Sequence, residues 1–192
     1  MRSIDIWKKR ANFSGTGSRG ALAEFKANYV NTFIKRYQIQ SVLDFGCGDL
    51  HNSCMIEVED YLGIDIVDHK HPKKIMSKNF KTIVSKFDEF ESEHSFDLCL
   101  CMDVLYHLLE DEIVYLEKTI SNMIKYSKKY IIIYAQDSHD LTLDYRGHLF
   151  NSPWRQILEK KDVMLVEEQA ECQPGSSARF FIYEKNTRGN KP

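Results

Sequence analysis

The chain has 192 residues, 43% of them hydrophobic, and its 26 basic and 28 acidic side chains leave a formal net charge of -2. That length and apolar content predict one domain with a sizeable core, and the balance of charge argues against a protein built to hold long nucleic acid, which carries a clear basic excess. No stretch is long and apolar enough to span a bilayer, the opening "MRSIDIWKKR" lacks the apolar core of a signal peptide, and the five cysteines form no CxxC framework, so a cytoplasmic protein with no membrane is expected.

In chain order, "FSGTGSRG" (13–20) is too rich in glycine and small hydroxyls for a helix or strand. It reads either as a flexible linker or as a lid, with Trp7 and Phe13 covering a site and backbone N–H groups gripping its ligand. Residues 20–36 read as a leading helix with Leu22, Phe25, Tyr29, Phe33 and Ile34 on one side. Strands are predicted at "SVLDFG" (41–46), "YLGIDIV" (61–67), "KTIVSKF" (81–87), "FDLCLCMDVL" (96–105) and "YIIIYA" (130–135). The fourth and fifth are apolar on both faces, as covered parallel strands are, and Cys99 and Cys101 share one face of the fourth as core thiols. Between them "EDEIVYLEKTISNMIKYS" places Ile113, Leu116, Ile120, Met123 and Ile124 at helical steps. "SPWRQILEK" (152–160) predicts a shorter helix with Ser152 as N-cap and Pro153 at the first helical position. Two last strand-like runs, "DVMLVEEQAE" and "ARFFIYEK", are joined by "CQPGSS" and should pair as an antiparallel hairpin. Strand-helix alternation followed by a hairpin is the order of a doubly wound sheet with an antiparallel strand at one edge. A single domain, 1–192, is expected: an N-terminal lid and helix (1–37), a Rossmann-like core (38–185) and a polar tail (186–192).

Gly46-Cys47-Gly48 follows the first strand directly, at the carboxyl edge where ligands of such sheets bind. A pyrophosphate-binding turn wants a third glycine at position 51, where the chain has His51, and Asp49 stands where a helix N-terminus would otherwise meet a phosphate. Asp65, at the end of the second strand and seventeen residues after Gly48, is placed to accept hydrogen bonds from two ribose hydroxyls. As a turn or cap residue it would have no ligand, but the glycine turn before it favours the ribose. These features describe a positively charged nucleoside without phosphates; a dinucleotide is the alternative that the residues leave open.

S-adenosylmethionine is such a nucleoside. The succession "VLDFGCGD", "YLGIDIVD", "FDLCLCMDVLYHL" and "YIIIYA", with the terminal hairpin, resembles the motifs of class I S-adenosylmethionine-dependent methyltransferases over residues 38–185. A narrower resemblance, to a small subgroup associated with polysaccharide modification, rests on Ser14-Gly15-Thr16-Gly17-Ser18, on Asp103 to Leu108, and on His148 with Trp154. The resemblance implies a Rossmann-like, mostly parallel seven-stranded sheet with a C-terminal antiparallel β-hairpin and helices on both faces. It also implies S-adenosyl-L-methionine as cofactor and S-adenosyl-L-homocysteine as product. By position it implies that Asp44 and the backbone of Gly46, Cys47 and Gly48 hold the methionine end, and that Asp65 takes the ribose with Ile66 against the adenine. Asp88 would receive the adenine amino group beside Phe87, although "FDEFESE" also reads as a solvated acidic loop. Met102 and Asp103 would flank the sulfonium, and Ser14 to Ser18 would close on the cofactor.

Methyl transfer is an in-line displacement at a carbon activated by sulfur, so the protein supplies alignment and, for a hydroxyl acceptor, a general base. His148 heads the candidates because imidazole titrates in the useful range; its bland alternative is a surface loop histidine. His107 serves either packing or catalysis, Asp137 and His139 follow the fifth strand, and Asp103 is placed to polarise a hydroxyl. Tyr106, Tyr134, Tyr145, Arg146 and Trp154 are candidates to line the acceptor site. No residue spacing marks a metal site, and His69-x-His71 reads as a solvated pair. The function expected is methyl transfer to a hydroxyl of a sugar or glycan precursor. The alternatives are another small-molecule acceptor (an amine or carboxylate), a protein or nucleic acid, or a non-catalytic cofactor-binding module. After the fourth strand the chain has Met102-Asp103-Val104-Leu105, not the Pro-Pro-aromatic turn of base methylation, and the intact Asp44, Gly46, Gly48 and Asp65 count against the module.

Overall fold

The computed structural model describes residues 19–68, 74–108, 113–136, 152–170, 173 and 176–186. The expectations for Trp7, for Phe13 to Ser18, for the pair His69 and His71, for Asp137, His139, Tyr145, Arg146 and His148, and for the last six residues fall outside them.

Strands β1 (Ser41–Phe45), β2 (Asp60–Asp65), β3 (Asn79–Val84), β4 (Phe96–Met102), β5 (Ser127–Ala135), β6 (Val163–Glu168) and β7 (Arg179–Lys185) make one sheet, ordered β3-β2-β1-β4-β5-β7-β6. β1 to β5 pair in parallel, and β7 runs antiparallel to both β5 and β6. The hairpin is as the sequence predicts, but the antiparallel strand lies one place in from the edge. Its composition explains this. Phe180 to Tyr183 are buried on both sides of β7, whereas β6 leaves Met164 and Val166 exposed and so occupies the rim.

Alternate residues of each central strand feed two separate cores, as the period of two requires. On one face Val42, Leu98, Leu100, Ile132 and Ile182 pack with Ala27, Val30, Phe33 and Ile34 of helix α1 (Gly20–Tyr37). On the other, Leu43, Phe45, Cys99, Cys101, Ile131, Ile133 and Phe181 meet Leu116, Ile120 and Met123 of α2 (Ile113–Tyr126) and Ile157 and Leu158 of α3 (Trp154–Glu159). Cys99 and Cys101 are therefore core thiols, and burial pushes both up from the usual range.

Three local expectations need correction. Among the described residues the strand-helix alternation is realised as α-helix only after β4 and β5; the described connections elsewhere are turns and loops, with a three-residue 3₁₀ turn at Ser53–Met55. Glycines and the left-handed Leu50 (φ 67°) break any helix after β1, and the acidic stretch after β3 buries Phe87 and Phe90 from a loop. α3 starts one residue later than predicted: Pro153 is its N-cap, and the buried Ser152 hydroxyl has no partner among the described residues. Finally, the buried centre of α1 is Ala23, Lys26, Ala27, Val30, Asn31, Phe33 and Ile34, with Leu22, Phe25 and Tyr29 on its flank. Alanines let the helix approach the sheet closely, and the flanking Tyr29 ring stacks on Phe180 at 4.0 Å.

Candidate functional site

The turn after β1 is built from two left-handed glycines, Gly46 (φ 82°) and Gly48 (φ 59°). Both Gly46 and Cys47 donate their N–H groups to the carbonyl of Ile64, at 2.8 and 3.2 Å, which ties the turn to the tip of β2. A Cβ on Gly46 would lie 2.3 Å from Val104 Cγ2, so the turn also abuts the chain leaving β4. A Cβ on Gly48 would meet nothing nearer than 4.0 Å, leaving that side of the turn open. No α-helix starts after the turn, so the positive helix end that a pyrophosphate uses is missing there. Asp49 does not carry that argument by itself, since Arg19, at the head of α1, pairs with it at 2.5 Å.

Asp65 ends β2 beside the turn. Its carboxylate accepts the N–H of Gly48 at 2.9 Å and of Val67 at 3.1 Å, one on each oxygen. These bonds fix the orientation of the carboxylate. Ile66 follows, half-buried. Phe87 is buried with its ring 6.0 Å from that of Phe45 and reaches the Gly46 turn. The next residue, Asp88, has a buried Oδ1 that accepts no hydrogen bond from the described residues.

Asp44 lies under the turn on the α1 face of β1, almost completely buried. Its Oδ2 accepts from Tyr61 at 2.6 Å and Ser53 at 3.2 Å, and its Oδ1 has no partner among the described residues. Burial pushes this carboxyl up to about 6, against the hydrogen bonds from Tyr61 and Ser53.

At the tip of β4, Asp103 adopts a left-handed backbone (φ 59°) and donates its N–H to the carbonyl of Tyr134 at 2.8 Å. Its Oδ1 accepts from Tyr106 at 2.8 Å, and its Oδ2 is paired with the ammonium of Lys26, a side chain with 0% exposure. That ammonium also lies 5.3 Å from the centre of the Tyr134 ring, whose hydroxyl bonds to Ser176 at 2.8 Å. Burial and Asp103 together hold the Tyr106 phenol far above its ordinary value. His107 is buried in the turn after β4, its ring 4.3 Å from that of Tyr106, and Met102 is buried on the α1 face.

The structure thus brings Gly46, Cys47, Gly48, Asp65 and Phe87 together, and groups Asp103 with Tyr106, His107 and Tyr134. Trp154 stands apart. It is fully buried, donates its indole N–H to Gln136 at 3.1 Å and packs on Phe181, so it is part of the core rather than an open acceptor wall. Tyr134 is likewise buried beneath Lys26. Residues that sequence reasoning passed over are Lys26, Arg19, Tyr61 and Ser53. For Lys26 a signal existed: it is a charge inside the buried stripe of α1, between Ala23 and Val30.

No family model matches the sequence, and a search of curated proteins finds no match. Solved structures do match. N-methyltransferase NodS from Bradyrhizobium japonicum, in complex with S-adenosyl-L-homocysteine, superposes with a TM-score of 0.70 at 16% identity, covering 96% of this chain and 99% of that one. Magnesium protoporphyrin IX methyltransferase from Synechocystis with bound S-adenosylmethionine gives 0.68 at 13% identity, over 97% and 98%. The chain has the methyltransferase fold. A third such structure, 1,6-didemethyltoxoflavin-N1-methyltransferase from Burkholderia thailandensis, holds its substrate and S-adenosylhomocysteine; it gives 0.66 at 13% identity over 95% and 86%. Among the described residues no helix is long and apolar enough to cross a membrane.

Proposed function

We propose that this chain is an S-adenosylmethionine-dependent methyltransferase that binds its cofactor across the carboxyl edge of β2, β1 and β4. The observation that carries this reading is the glycine turn itself: two left-handed glycines open above Gly48, no helix end for a pyrophosphate, and the oriented carboxylate of Asp65 alongside. The residues present fit the nucleoside. The oriented carboxylate of Asp65 suits two ribose hydroxyls, and the Oδ1 of Asp88, without a partner among the described residues, suits an amino donor such as that of adenine. Ile66 and Phe87 supply apolar surface for the base. Gly46, Cys47 and Gly48 hold the methionine end with Asp44 beneath them. Met102 and Asp103 flank the sulfur, and Ser14 to Ser18 complete the site from the N-terminal side. Arg19, the first described residue after that segment, is paired with Asp49 at the turn, which supports this placement.

When bound, the cofactor supplies a methyl group already activated by positive sulfur. The chain's own contribution is to align an acceptor and to take its proton. We read the acceptor as a hydroxyl of a sugar or glycan precursor. Both oxygens of Asp103 are already engaged, by Tyr106 and Lys26, so it is read as a positioning group. His107 is packed against Tyr106. The base proposed is therefore His148, with Asp137 as the next candidate; both lie outside the described residues. Tyr145, Arg146 and Tyr106 are proposed to line the acceptor side.

The test is methyl transfer from labelled S-adenosylmethionine to a panel of free and nucleotide-linked sugars, run beside amine and carboxylate acceptors. His148→Ala is expected to lower turnover by about 10²–10⁴-fold while S-adenosylhomocysteine affinity stays within about twofold. Transfer only to amines would reject the hydroxyl reading, and full turnover in the variant would move the base elsewhere.

A further inference from the structure

Lys26 and Asp103 form a buried ion pair beside the site, and packing alone gives little reason for it. The ammonium side chain is 0% exposed and the carboxylate 17%. Desolvating two charges commonly costs as much as their attraction returns, so such a pair is weak evidence of stabilisation. Asp103 is in addition a non-glycine residue held at φ 59°, a conformation that proteins retain chiefly where surrounding structure or function requires it. The next residue, Val104, supplies the methyl that a side chain on Gly46 would strike, so the pair sits within one residue of the glycine turn. Buried charge, a left-handed backbone and contact with the turn thus converge at one point.

We propose that the Lys26–Asp103 pair sets how the site discriminates the positively charged cofactor from its neutral product. This rests on the cofactor reading above, in which the tip of β4 faces the sulfur. S-adenosylmethionine carries a positive sulfonium and S-adenosylhomocysteine an uncharged thioether; in other respects the two differ by one methyl. A bare carboxylate at this tip would favour the cation, and a bare ammonium would oppose it. With both present the pair itself adds little net charge near the sulfur, so it dominates neither cofactor entry nor product release. Lys26 is in this sense a positioning residue: it acts on the ligand through the carboxylate that it neutralises and holds.

Isothermal titration of the full chain with each nucleoside separately reads this out without any acceptor. Asp103→Asn, nearly isosteric, removes the carboxylate's charge while keeping the ammonium and should lower the ratio of S-adenosylmethionine to S-adenosylhomocysteine affinity by about tenfold, the size expected for a change of one charge a side-chain length or two away. Lys26→Met should raise the ratio by a similar factor, and Lys26→Arg, which keeps the charge, should leave it near wild type. The double variant, again without net charge, should return toward the wild-type ratio. Should Lys26→Met fail to fold, Asp103→Asn and the double variant still decide. A purely structural pair would weaken both nucleosides alike, so a ratio unchanged in Asp103→Asn overturns the proposal. A wild-type chain that binds neither nucleoside overturns the cofactor reading instead.

Discussion

Asp65 and Asp44 are both carboxylates at strand ends, yet their surroundings assign them opposite work. Asp65 is partly exposed and held by two backbone N–H groups, an arrangement suited to holding a carboxylate ready for external donors. Replacing it by alanine removes two charge-assisted hydrogen bonds, about 1.5–3 kcal/mol each, so S-adenosylhomocysteine affinity should fall by about 10²–10⁴-fold in calorimetry. An affinity within a few-fold of wild type would place the ribose elsewhere. Asp44 is sealed under the turn. Burial, reinforced by Asp65, lifts it from 3.8 to about 6 against the pull of Tyr61, Ser53 and Lys26. A carboxyl whose pKa is higher folded than unfolded keeps its proton better in the native state, so ionising it erodes stability as pH climbs from about 4 to about 6. A rise of that size corresponds to roughly 3 kcal/mol. In urea denaturation Asp44→Asn should therefore gain on wild type across this window and keep the advantage at pH about 7. Parallel stability curves for the two proteins would refute the assignment.

At the scale of elements, what was legible depended on whether the signal was local. Runs apolar on both faces, such as "FDLCLCM" and "YIIIYA", read as covered strands because no other placement buries both sides. β4 nevertheless ends at Met102, earlier than its apolar run suggests, because Asp103 turns left-handed. The large aromatics of α1 point to a stripe part of a turn away from the true one, because the sheet takes the side carrying Ala23 and Ala27. Trp154 shows the same limit. A tryptophan opening a helix reads equally as a ligand wall or a core anchor, and only the packing of α3 on Phe181 decides between them. Trp154→Ala should accordingly cost about 3–5 kcal/mol of stability by denaturant melting. A loss below about 1 kcal/mol would mean that the side chain is not the anchor described.

Across the whole molecule, two cores share the same central strands, one on each face of the sheet. The core residues named above all lie beyond the N-terminal segment, and α1 is anchored through Ala27, Val30 and Phe33. Deleting residues 1–18 should therefore leave a single cooperative melt, while S-adenosylhomocysteine affinity falls by about tenfold or more as the hydroxyls and backbone donors of Ser14 to Ser18 are lost. Unchanged affinity would reduce that segment to a linker.

The amino-acid sequence by itself determined the strand-rich α/β order, the closing hairpin, the glycine turn and the acid at the tip of the next strand. All of these are written in neighbours a few residues apart, through side-chain period and backbone permissiveness. Only the tertiary structure decided that β7 enters the sheet ahead of β6, that Asp44 is sealed from solvent, and that Lys26 reaches Asp103 across 77 residues of chain. Each of these depends on which faces meet, and a face is a property of the packed molecule that no local spacing records.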